Sequence, residues 1–424
     1  MAPSATSETN IVDVQLIKTI MADSFNFRQQ DYSVRPMEKA KNNKVYLVEL
    51  SSPTPTELVA IGSMPLTHAV PRGTTRFVVR MPKTNVSLED SVRVRNQVVF
   101  LHLAGQALCR AKTNQLSLVP LVFAWSDSNP EKRWIIEEFK QGEHITSAEL
   151  GNFTQEQQHI IFRQIAEFTK ALQEYILPSE ILYGGLSCDD KGKIFSTKSS
   201  IPCGGPFETY AGFLKGMCTW QRQASERSTH LNGWENEPEL KARLDRFFAS
   251  GLNGLLQTVQ EDRPTLIHAD LGLSNLLFDR ETNVLTAVVD FDFSHVGASI
   301  AEYLFSFYDM NGLLHGSGEA PGTFRQFLLD GFPENDDKCD SQDLKMARVL
   351  DAALREVDAK RPSNQHSAST VADVWWFSQE LCQAYWLMDG FLSHRTPAQF
   401  AEMKDESAEA LKTYLDLWGK ASEL

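Results

Sequence analysis

The sequence predicts an α+β chain of two unequal lobes, a small N-terminal lobe with an antiparallel β-sheet plus a helix and a larger, mainly helical C-terminal lobe. Three observations carry this expectation. Short β-like runs crowd the region before residue 140, long helical periods dominate the region after it, and a cluster of Asp, Asn and His sits between short apolar runs at 266–294. The lobes are expected over 1–140 and 141–424.

Residues 11–28 open with apolar positions at helical spacing: Ile11, Val14, Ile17, Ile20 and Met21. KVYLVEL (44–50), TRFVVRM (75–81) and RWIIEEF (133–139) are rich in β-branched and aromatic residues and read as strands. Between the second and third lies DSVRVRNQVVFLHLAGQALCRA (90–111), with Val94, Val98, Leu101 and Leu103 at helical intervals and no proline, so a helix interrupts the strands. After Gly142 the segments 154–176, 206–226 and 239–259 read as long helices. Short strands are expected near 266, near 276 and over 284–289, after which helices return to the C-terminus.

Composition narrows the function classes. With 41 Lys+Arg against 55 Asp+Glu the net charge is −14, and no local basic patch offsets it, which argues against a nucleic-acid or anionic-membrane surface. Cys109, Cys188, Cys203, Cys218, Cys339 and Cys382 are scattered without CxxC spacing, so free thiols in a reducing compartment are expected, not a zinc site or a disulfide framework. The N-terminal residues lack the layout of a signal peptide, and a cytoplasmic protein is expected.

The chemistry concentrates in LIHADLGLSNLLF (266–278) and VVDFDFSHVG (288–297). Asp270 and Asn275 lie five positions apart in a loop, and Asp290 follows at the end of the apolar run LTAVV. Two carboxylates and an amide oxygen form a hard, oxygen-only set suited to Mg²⁺, and a carboxylate left off the metal can orient and deprotonate a hydroxyl. The plain alternative for each residue alone is a turn former at a strand end.

His268-Ala269-Asp270, Asn275 and Asp290-Phe291 resemble the catalytic core of the aminoglycoside phosphotransferase and choline kinase families, whose pattern is H-G-D-x-x-x-x-N followed by a D-F or D-W pair. Fungal members of this superfamily look similar over about residues 12–310, including NNKVYLVEL, VVRMP, WIIEEF and GGPF. The resemblance implies a protein-kinase-like fold and a small-molecule kinase that moves the ATP γ-phosphate to a hydroxyl of a small metabolite. It makes Asp270 the base, Asn275 and Asp290 the Mg²⁺ ligands, and His268 a packing and hydrogen-bonding support of the catalytic loop. It puts Arg80 on the nucleotide phosphates, Gln97 where the helix partner of that cation stands, and Glu138 and Phe139 at the adenine edge.

Two departures accompany it. Gln97 is neutral where the family carries a Glu, so it can offer Arg80 a hydrogen bond but no ion pair, and Asn96, Glu89 or Asp90 would have to replace it. The phosphate-covering loop, RPMEKAKNNKVYLVEL (35–50), contains no glycine, leaving Ala40, Asn42 and Asn43 as its small or turn-prone residues and Lys39 and Lys41 as its charges. The acceptor site is expected among 205–235 and 370–395, where Phe207, Tyr210, Trp220, Trp375, Trp376, Tyr385 and Trp386 are either aromatic walls or core. Two other readings stand beside the kinase. One is a non-catalytic, pseudokinase-like nucleotide binder. The other is a haloacid-dehalogenase-type phosphatase with Asp290 as nucleophile and Asp292 as acid and base, which needs alternating strands and helices over 300–424.

Overall fold

A computed structural model describes residues 5–37, 42–62, 64–84, 87–111, 118–130, 132–260, 262–318, 323–333 and 341–421. Helix α1 (Ala5–Phe25) leads into β1 (Tyr32–Pro36), β2 (Asn43–Leu50) and β3 (Arg76–Pro82), then α2 (Asp90–Arg110), β4 (Val122–Ser126) and β5 (Trp134–Glu138). The five strands form one antiparallel sheet in the order β1-β2-β3-β5-β4. Three of them match the expected runs. The two that the sequence did not reveal, β1 and β4, are the edges, and β1 ends in Pro36, which an edge tolerates because its missing N–H faces no partner.

Alternation along the strands decides what faces the rest of the molecule. Phe77, Val79 and Met81 of β3, with Ile136 of β5, pack with α1 residues Ile17, Ile20 and Met21. Arg80 and Glu137 therefore emerge on the opposite face, on diagonal positions of the β3–β5 pair, where Val78 opposes Glu137 and Arg80 opposes Ile135.

The remaining chain is mainly helical. Helices α3 (Ser147–Asn152) and α4 (Gln155–Glu174) each begin in a capping box, Thr146 with Glu149 and Thr154 with Gln157, which satisfies the first amides of each helix. After the hairpin β6 (Gly185–Cys188) and β7 (Ile194–Thr197) comes α5 (Tyr210–Arg227), which starts four residues later than expected because Thr209 caps it. The helix expected over 239–259 divides into α6 (Pro238–Arg246), a wide turn at Phe247–Gly251 and α7 (Leu252–Leu256). Then follow β8 (Thr265–Ile267), β9 (Leu276–Asp279), β10 (Val284–Val288) and β11 (His295–Gly297). β9 pairs with β10, while β8 pairs with β11, so the two hairpin-like pairs bracket the segment 268–275. Helices α8 (Glu302–Phe305), α9 (Thr323–Asp330), α10 (Gln342–Glu356), α11 (Ala368–Leu381), α12 (Asp389–Leu392) and α13 (Pro397–Ala421) complete the chain.

Helix α2 joins the two parts. Its apolar residues Val94, Val98, Leu101 and Leu108 belong to the same buried cluster as α4 residues Ile161 and Ile165. Its buried Asn96 donates to Ser294 O at 2.8 Å and accepts from the N–H of Leu186 at 2.8 Å. Cys109, Cys188, Cys203, Cys218 and Cys382 are free thiols, and Cys339 lies outside the described residues. No helix among the described residues is long and apolar enough to cross a membrane.

Replacing Asn96 by Leu leaves the Leu186 N–H and the Ser294 carbonyl buried without that partner, a cost of about 2–4 kcal/mol. Urea denaturation of Asn96→Leu is expected to show a lowered midpoint with an unchanged slope.

Candidate active site

The segment between β8 and β9 is held by carboxylates and hydroxyls that meet its backbone. Glu302, 2% exposed, accepts from the N–H of His268 at 2.8 Å and of Ala269 at 3.0 Å. Ser306 Oγ accepts from Leu271 N–H at 2.8 Å, and Asp309 accepts from Leu273 N–H at 2.7 Å. Ser294 Oγ donates to His268 O at 3.1 Å. These bonds hold Ala269 at φ +62°, a left-handed backbone that L-residues with a Cβ disfavour.

His268 is fully buried between Phe168 and Phe291, and its Nε2–H donates to Val289 O at 3.2 Å. Burial lowers its pKa to about 3, so the ring is neutral and packs the loop without reaching solvent. Asp270 is only partly buried. Burial first, and then the nearby charge of Asp290, raise its carboxyl to about 7, against the opposing hydrogen bond from Asn275. The Tyr308 hydroxyl donates to Asp270 Oδ1 at 3.3 Å. Gly272 permits that approach, since a Cβ there would lie 2.3 Å from the Tyr308 oxygen. Asn275 Nδ2 donates to Asp270 O at 2.8 Å, which turns the amide oxygen of Asn275 away from that carbonyl.

Asp290, also left-handed at φ +66°, receives Arg80 from the sheet at 2.6 Å. Arg80 further meets Glu137 at 3.7 Å and Asp292 at 3.9 Å. Asp292 is paired with the fully buried Arg93 of α2 at 2.7 Å and accepts from Asn43 Nδ2 at 2.7 Å. Arg93 also donates to Asn43 Oδ1 and to the carbonyls of Asn42 and Lys83 at 2.8–3.1 Å. Burial raises the Asp290 carboxyl, with Arg80 opposing and Asp292 adding to the rise, whereas Arg93 and then Arg80 overcome burial and hold Asp292 low. Glu137 is pushed up to about 7 by burial, against Arg80.

A cavity of about 280 Å³ opens beside Asp270, with Trp220 and Trp375 among its walls. The other aromatics expected there pack elsewhere. Tyr210 stacks on Phe213, Trp376 on His315, Tyr385 lies against Trp386 and Phe391, and Phe207 lies against Phe213.

The family model for the phosphotransferase enzyme family matches residues 66–331, more than half of the chain. The chain belongs to that family. Among solved structures, a putative aminoglycoside phosphotransferase from Ralstonia eutropha JMP134 is 14% identical, with a TM-score of 0.52 over 96% of this chain and 98% of that one. A streptomycin–ATP ternary complex of the aminoglycoside phosphotransferase APH(2")-IIa is 13% identical, with a TM-score of 0.49 over 94% and 98%. No curated protein matches the chain. The Ralstonia likeness shows the bilobal α+β, protein-kinase-like fold expected from the sequence.

Within this phosphotransferase frame four expectations change. Gln97 is buried, but no hydrogen bond or ion pair joins it to Arg80 among the described residues. Glu137, Asp290 and Asp292 meet Arg80 instead, because β5 lies next to β3 whereas α2 presents Arg93 one turn earlier. Asn96 turns to Ser294, Glu89 to Ser91 and Lys198, and Asp90 to Arg93, so none of the three replaces Gln97. Asn43 is not a left-handed loop residue; it opens β2 and its side chain is locked into the Arg93–Asp292 pair. Lys39, Ala40 and Lys41 lie outside the described residues. The Glu138 N–H donates to Leu121 O at 2.8 Å, so that donor is already engaged, and the Phe139 ring packs under Arg76. The phosphatase reading fails, because the elements after residue 301 are all helical among the described residues, without the alternating strands it needs.

The spacing of the sequence did not reveal Arg93, Glu137, Glu302 or Tyr308. Arg93 leaves one trace, a polar stripe with Asn96 and Gln97 three and four positions on within an apolar helix.

Two measurements check this architecture. Arg93→Met strands Asp292 in the interior and is expected to cost about 3–5 kcal/mol, and adding Asp292→Leu recovers part of that loss in the same denaturation assay. Ala269→Gly removes the left-handed penalty and is expected to gain about 1 kcal/mol, read as a raised thermal midpoint.

Proposed function

We propose that this phosphotransferase is a small-molecule kinase that transfers the γ-phosphate of ATP to a hydroxyl of a small metabolite. The observation that carries this reading is the position of Asp270, a carboxylate at the wall of a cavity with its proton affinity raised to about 7, in one loop with Asn275 and across from Asp290. A group of that proton affinity accepts a hydroxyl proton near neutral pH. The oxygen of the acceptor forms a bond to the γ-phosphorus, the bond from that phosphorus to the bridging oxygen of ADP breaks, and the hydroxyl proton passes to Asp270.

The residues behind Asp270 fit a divalent cation. Asn275 has its amide nitrogen engaged and its oxygen left to face a ligand, and the Asp290 carboxylate, with Asp292 two residues on, supplies the anionic oxygen that a hard cation prefers. Mg²⁺ bound by Asn275 and Asp290 would neutralise phosphate charge. Arg80 supplies fixed positive charge on the sheet side, and its buried Nε–H lacks a hydrogen-bond partner among the described residues, which suits an anionic oxygen. His268 acts as a positioning residue, holding the loop through Val289. The nucleotide belongs to the lobe before residue 140 and the acceptor to the helical lobe after it. The scattered free thiols fit the reducing cytoplasm.

Asp270→Asn keeps the shape of the side chain and removes the base. Transfer of labelled γ-phosphate into a small-molecule extract, with the product identified by mass spectrometry, is expected to fall by about 10²–10⁴ in this variant. Stabilisation by ATP with Mg²⁺ in a thermal-shift assay is expected to persist. Binding without Asp270-dependent transfer to any acceptor would leave the non-catalytic nucleotide-binding reading instead.

A further inference from the structure

The cavity beside Asp270 constrains what the acceptor can be. Its walls are mostly apolar, with Met217, Trp220, Phe293 and Trp375 among them, and carry neutral polar groups at Ser87 and Gln379. Asp270 is the one charged side chain among the described residues that line it. Its volume of about 280 Å³ falls just below the usual span of small-molecule sites, roughly 300–1,000 Å³.

Gln221 on α5 supplies a second, independent feature. It lines the same cavity, is 5% exposed, and its Oε1 has no hydrogen-bond partner among the described residues. A buried acceptor left unpaired is costly, and an O–H or N–H brought in by a ligand would satisfy it.

From these observations we infer that the acceptor is an uncharged, largely apolar alcohol, such as an aryl-substituted one, that carries a second hydrogen-bond donor for Gln221. The inference rests on the kinase reading of the same site. A polycationic sugar would bring several ammonium groups into a cavity with a single carboxylate, and that carboxylate has to take the hydroxyl proton. A quaternary ammonium alcohol would find aromatic walls but offer Gln221 no donor besides the reacting hydroxyl.

The test is binding to the full-length wild-type chain without nucleotide, by quenching of tryptophan fluorescence and by calorimetry, with tyrosol, phenethyl alcohol, choline and kanamycin as probes. Tyrosol carries a phenolic donor besides its alcohol, and phenethyl alcohol lacks it. Saturable binding of tyrosol is expected to be tighter than that of the other three. Gln221→Leu is expected to weaken tyrosol by about tenfold and to leave phenethyl alcohol unchanged. Tighter binding of choline or kanamycin, failure of both neutral alcohols to bind, or an unchanged tyrosol affinity in Gln221→Leu would each overturn the inference. Tyrosol binding with no Asp270-dependent phosphorylation would remove the kinase reading and leave the pocket assignment standing. Phosphorylation of kanamycin would do the reverse.

Discussion

The buried ion pair between Arg93 and Asp292 is the constraint on which the site depends. Neither ion is tolerable alone in the interior, where an unpaired charge costs several kcal/mol. Arg93 is therefore surrounded by Asp292, Asn43 and two backbone carbonyls, and Asp292 by Arg93, Asn43 and, at longer range, Arg80. These groups come from α2, β2, β3 and the turn after β10, so satisfying one buried charge fixes the sheet against the helical lobe. Asp290 lies two residues from Asp292 and inherits that placement, with Arg80 and Glu137 arranged around it.

Compared with an ordinary pairing between a strand cation and a helix carboxylate, the signs on α2 are reversed. The helix contributes a cation and the sheet contributes both the cation and the carboxylate. Arg80 finds its acid on the neighbouring strand because β3 and β5 are adjacent and in phase, and α2 is then free to neutralise Asp292. Gln97 is buried on the same helix and has no hydrogen bond or ion pair to Arg80 among the described residues.

The loop between β8 and β9 shows the complementary constraint, in which backbone strain is held by over-determination. Ala269 and Asp290 both adopt left-handed backbone, each a small local cost. Glu302, Ser306 and Asp309 accept from successive loop amides, and Asn275 closes the loop onto the carbonyl of Asp270. The family pattern places Gly where Ala269 stands, and the left-handed conformation is the reason a residue without Cβ suits it. Here the hydrogen bonds hold the same turn with a methyl group present.

Much of this was legible in the sequence because it is local. The helical periods of α2 and α4, the central strands β2, β3 and β5, and the spacing of His268, Asp270, Asn275 and Asp290 are all set within a few residues of chain, where periodicity and turn chemistry act. The edge strands β1 and β4 escaped because β1 is polar and mostly exposed and β4 is a short uninterrupted apolar run, so neither shows alternation. The partners of the charges were decided only by the tertiary structure. A guanidinium pairs with whichever carboxylate packing brings within reach, so nothing in the order of residues could say that Arg80 would meet Glu137 and Asp290, that Arg93 would meet Asp292, or that Gln221 would be left facing an apolar cavity without a partner.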